Sequence, residues 1–108
     1  MELTFKKLED ACFKRQKEWD INGVLDAEYF AIELGGEAGE ALNVVKKLKR
    51  ERLGLPGSRT STDALADELA DVVIGCMNLA GASCIDLEKA IVDKFNAKSE
   101  ELGFETKL

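Results

Sequence analysis

From about Thr4 to Trp19 the residues Phe5, Leu8, Cys12 and Trp19 recur on a helical period with lysines and glutamates between them, which predicts a one-sided helix. Asp20-Ile21-Asn22-Gly23 breaks that pattern, because Asn-Gly favours a turn with positive φ. Asp26 is a suitable N-cap for a second helix that runs to about Arg52 and ends in cations suited to the negative end of its dipole. Residues Leu53 to Thr62 hold Gly54, the only proline (Pro56) and Gly57, and read as a connecting loop or a lid. A third helix is predicted from Thr62 or Asp63 to about Ala82, apolar nearly all round and so expected at the centre. Ser83 to Asp86 makes a turn. A fourth helix from Leu87 to about Leu102 is expected to be buried through Leu87, Ile91 and Phe95 and to stop at Gly103. No strand pattern, repeat or low-complexity segment competes, so residues 1–108 predict one all-α domain, a four-helix bundle.

Two interruptions of this pattern carry chemistry. On the second helix Ala27, Phe30, Leu34, Ala41, Val45 and Leu48 share a side, and Glu37 falls inside that cluster, with Glu33 one turn before it and Glu40 one turn after. On the third, Glu68 and Asp71 repeat the i, i+3 spacing, in a narrow polar sector with Asp67, Gly75 and Asn78. Buried carboxylates are costly and clustered ones repel, and a divalent cation relieves both penalties. Each acidic pair alone is common on exposed helices; two on facing apolar helices ask for a shared cation. Gly35, Gly36 and Gly39 each cost roughly 0.5–1 kcal/mol against alanine within a helix, which predicts a close approach to the second helix.

Composition narrows the chemistry. There is no histidine, which removes Ser-His and Cys-His catalysis and histidine-ligated metal sites and leaves oxygen-only coordination suited to Mg²⁺ or Mn²⁺. The net charge of −6 argues against binding a nucleic acid polymer. Cys12, Cys76 and Cys84 have no metal or disulfide spacing and read as small core residues. No apolar run nears the roughly 20 residues that span a bilayer, and the N-terminal residues carry no signal-like apolar region, so the expected compartment is the cytoplasm with no membrane partner. A small bundle with so apolar a third helix is also expected to self-associate. Lys94 and Lys98, i, i+4 neighbours with Asn96 between them, are candidates for phosphate binding, and Trp19 for stacking on a nucleobase.

The run Glu37-Ala-Gly-Glu40-Ala, then Glu68-Leu-Ala-Asp71-Val-Val-Ile, Ile85-Asp86-Leu87-Glu88-Lys89-Ala90 and Lys94-Phe95-Asn96 resembles the MazG-like all-α nucleoside triphosphate pyrophosphohydrolases, as a single-domain member, over roughly residues 27–103. The resemblance implies a Mg²⁺-dependent hydrolase that cuts a canonical or noncanonical (d)NTP between its α- and β-phosphates, in nucleotide-pool house-cleaning. It implies Glu37, Glu40, Glu68 and Asp71 as catalytic metal ligands, Lys94 as a phosphate contact, and assembly as a homodimer or homotetramer. Family members often carry a second glutamate before the first ligand, where this chain has Gly36; Glu33 is the candidate for that supporting role. Many also place asparagine four residues after the lysine, where this chain has Lys98 and Asn96 lies two residues earlier. The competing expectation is a non-catalytic helical interaction module that keeps the acids as ion-pair partners or around a structural metal.

Overall fold

Four helices follow one another in the computed structural model, which describes residues 2–108: α1 (Phe5–Trp19), α2 (Ala27–Arg52), α3 (Thr62–Ala82) and α4 (Leu87–Leu102). No strand occurs among the described residues. Each helix starts at a side-chain cap. Thr4, Asp26, Ser61 and Asp86 accept hydrogen bonds from the amides of Lys7, Tyr29, Ala64 and Lys89, satisfying one otherwise orphaned donor apiece. Gly103 closes α4 in the left-handed conformation (φ 71°), where a side chain would be strained. Between α1 and α2 the Asp20 carboxylate accepts from the amides of Val24 (3.0 Å) and Leu25 (2.8 Å), which holds the turn against the end of α1.

The packing centres on α3. It lies along α2 and also takes α1, as its nearly continuous apolar surface requires. The close approach between α2 and α3 is made at Gly75: a Cβ there would stand 3.3 Å from Leu34 Cδ1 and 3.6 Å from the Leu34 Cα. The expectation that Gly35, Gly36 and Gly39 mark the close approach is therefore corrected, since nothing lies within 4 Å of a Cβ built at any of the three. The core is small: Cys12, Phe30, Ala41, Val44, Met77 and Ala80. Val44, not the expected Val45, turns inward on α2; Cys76 is only half-buried and Cys84 is exposed, so of the three thiols only Cys12 is a core residue.

A single chain does not close the bundle. No more than marginal contact joins α4 to the other helices, and α3 and α4 meet at a bend of 111°. Ile91 and Phe95 are each 42% exposed and Leu87 is half-buried, contrary to their expected burial. The Cα radius of gyration is 17.2 Å, against about 13 Å for a compact chain of this length. The apolar faces that periodicity marks are real, but within this chain that of α4 is uncovered. No single helix among the described residues is long and apolar enough to cross a membrane.

Candidate metal and nucleotide site

Because α2 and α3 run side by side, their acidic pairs meet. One carboxylate oxygen from each of Glu37, Glu40 and Glu68 lies within 4.8 Å of the others. Asp71 is not part of that set; it stands beside it, lining the same cleft as Glu33 and Glu37. The Glu37 and Glu68 Oε2 atoms are covered and have no hydrogen-bond partner. None of the ion pairs among the described residues reaches these acids.

The electrostatics follow from that crowding. Glu37 is held above the ordinary carboxylate range, first because its half-buried carboxyl is partly withdrawn from water and then by the charges of Asp71, Glu40, Glu68 and Glu33. Glu68 is raised in the same way, by burial and then by Glu40, Asp71 and Asp67. The Tyr29 hydroxyl is also raised, because the Glu33 carboxylate stands beside it. Such a set of oxygens, with two orphaned and none in an ion pair among the described residues, fits a hard divalent ion.

A pH dependence follows. A carboxyl whose folded-state pKa lies above its unfolded value binds more protons when folded, so folding is favoured at low pH and loses that advantage as pH rises through the raised value. In EDTA, thermal stability is expected to fall between mildly acidic and neutral pH. Added Mg²⁺ is expected to restore it most at neutral pH, with the effect fading on acidification as protons compete for the same oxygens. Thermal melts across pH, with and without Mg²⁺, check both directions.

Next to the acids opens a cleft of about 220 Å³ lined by Arg15, Gln16, Trp19, Leu25, Tyr29, Glu33, Glu37, Asp71, Ile74, Gly75 and Asn78. Trp19 is 78% exposed at its edge, so it is not a core residue and its indole face is available. Gln16 and Tyr29 were not among the candidates from sequence. Gln16 carried a readable signal, since it is a polar residue on the α1 face of Leu8 and Cys12.

The candidates on α4 lie elsewhere. Lys94 borders an open apolar groove with Leu87, Ala90, Ile91 and Phe95; Lys98 pairs with Glu101 at 3.1 Å; and Asn96 exchanges two hydrogen bonds with the Leu108 backbone. None of the three lines the acidic cleft. No protein-family model matches the chain, and no characterised protein matches it in sequence.

Proposed function

We propose that this protein is a divalent-metal-dependent nucleoside triphosphate pyrophosphohydrolase of the MazG-like kind. The observation that carries the reading is the meeting of Glu37, Glu40 and Glu68 across two helices with two covered, unpartnered oxygens, at the mouth of a cleft with an exposed tryptophan. Glu37, Glu40 and Glu68 would hold Mg²⁺ or Mn²⁺, and Asp71 would complete the acidic wall. When bound, such an ion neutralises triphosphate charge and makes a coordinated water a better nucleophile.

The chain supplies the rest. A carboxylate oxygen of Glu37 or Glu40 orients the attacking water and accepts its proton. Water adds to phosphorus, the bridge between the α- and β-phosphates breaks, and a nucleoside monophosphate and pyrophosphate leave. Glu33, beside the Tyr29 hydroxyl and lining the same cleft as Glu37 and Asp71, supports the metal-side acids from one turn away. No covalent nucleophile is required.

The uncovered face of α4 and the open shape of the chain support a homodimer or homotetramer, in which a neighbouring copy's α4 can bring a lysine to the phosphates. Sedimentation as a monomer at micromolar concentration would count against that assembly.

The decisive test is pyrophosphate release from a panel of canonical and modified NTPs and dNTPs, with Mg²⁺ and with EDTA. Metal-dependent release is expected, and its ranking names the substrate. Silence across the panel from folded protein would favour a binding module instead.

A further inference from the structure

Beside the acidic cleft lies a second one of about 240 Å³, bordered by Cys12, Phe13, Phe30 and Met77, with Glu9, Lys17 and Asp20 also on its lining. Gln16, Leu25 and Asn78 line both. At this shared wall the structure holds two further unmet hydrogen-bonding atoms, Gln16 Oε1 and Asn78 Oδ1. Asn78 is only 8% exposed, and a buried amide oxygen without a donor is a costly arrangement that packing alone does not explain.

We infer that Asn78, with Gln16, reads the hydrogen-bonding edge of a nucleobase, and that the base enters past Trp19 toward the apolar cleft. This rests on the pyrophosphohydrolase reading and names what that site selects. The sequence of environments matches a nucleotide end to end: acids that suit a metal-bound phosphate tail, then two amide groups, then a mainly apolar cleft with a charged rim. Amide oxygens accept from the N–H groups of a ring, and their NH₂ groups donate to its carbonyl or ring nitrogen. A sugar offers hydroxyl donors too, but no flat apolar face for the exposed Trp19 indole. Because buried polar groups left unpaired reject the wrong ligand strongly, two such amides are well placed to discriminate between bases.

Trp19 is the only tryptophan, so its fluorescence reports occupancy without turnover. The probes are the common ribo- and deoxyribonucleoside monophosphates and ribose 5-phosphate, each with Mg²⁺. Saturable quenching by monophosphates, ranked by base and absent with ribose 5-phosphate, is expected. Asn78→Leu and the isosteric Gln16→Met should each weaken binding of the preferred monophosphate roughly 10- to 100-fold and flatten the ranking, while Mg²⁺ still raises the melting temperature as in the wild type. Gln16→Met, at a half-buried position, keeps the test available if Asn78→Leu does not fold.

Unchanged affinity and ranking in a folded variant, or equal binding of ribose 5-phosphate, overturns the inference. If pyrophosphate is released normally and both variants keep the wild-type KM for every triphosphate, the inference alone fails. If no triphosphate is cleaved but base-ranked quenching is present and lost in the variants, the hydrolase reading fails and the base site stands.

Discussion

Glu37→Gln is expected to reduce metal-dependent pyrophosphate release by at least about 10²–10³-fold while making the protein more heat-stable in EDTA. Both effects have one cause. Glu37 is surrounded by Glu33, Glu40, Glu68 and Asp71, and its own carboxyl is partly withdrawn from water, so its negative charge is unfavourable until a cation shares it. The amide keeps the shape and removes the charge. It therefore relieves repulsion in the empty cluster and weakens the ion's hold in the same step. The acid-to-neutral loss of stability in EDTA should also shrink, since one of its two titrating groups is gone. Thermal melts in EDTA and Mg²⁺, together with turnover of the best triphosphate in the panel, check this. A folded Glu37→Gln protein that retains full Mg²⁺-dependent turnover would falsify the metal-site assignment, and full turnover by Glu40→Gln would do the same.

Gly75→Val is expected to destabilise the fold by about 2–3 kcal/mol, which corresponds to a fall in melting temperature of roughly 10–20 °C. A Cβ alone would already press on Leu34 Cδ1 at 3.3 Å, and the valine methyl groups would reach for the α2 backbone, which cannot move aside without separating the helices. Shortening the flexible partner should recover part of the loss, so Leu34→Ala combined with Gly75→Val is expected to be more stable than the two separate effects predict. Because α2 carries Glu37 and Glu40 and α3 carries Glu68, the spacing of the acids depends on this contact. The stabilisation given by Mg²⁺ should therefore fall in Gly75→Val as well, which a change confined to the core would not produce.

The helices themselves were legible because their punctuation is strong. Asp26, Asp86 and Gly103 mark ends that hydrogen bonding then fixes, and the bounds of α2, α3 and α4 agree closely with the periodicity. The acidic cluster was legible for a different reason: a carboxylate on an apolar stripe contradicts its surroundings, and on Glu37 and Glu68 that contradiction appears as orphaned oxygens. What periodicity does not encode is which surface covers a stripe. Leu87, Ile91 and Phe95 form a proper apolar face, and nothing in their spacing says that α4 stands away from α3. Glycine has the same ambiguity. Gly39 and Gly75 cost a helix alike, but only Gly75 has a neighbour against it. Asn78 was visible as part of a polar stripe, yet its importance comes from a missing partner, which is a three-dimensional fact.

The placement of the acids on consecutive helices has an entropic consequence. The loop that must close to bring Glu37 and Glu40 to Glu68 is the 53–61 connection and the adjoining turns, not the whole chain, and closure cost grows only logarithmically with the length enclosed. Contacts between neighbours in sequence are also those that form fastest in folding. The carboxylate cluster is thus the property of a single helical hairpin, whose two sets of acids lie close along the chain before either terminal helix packs.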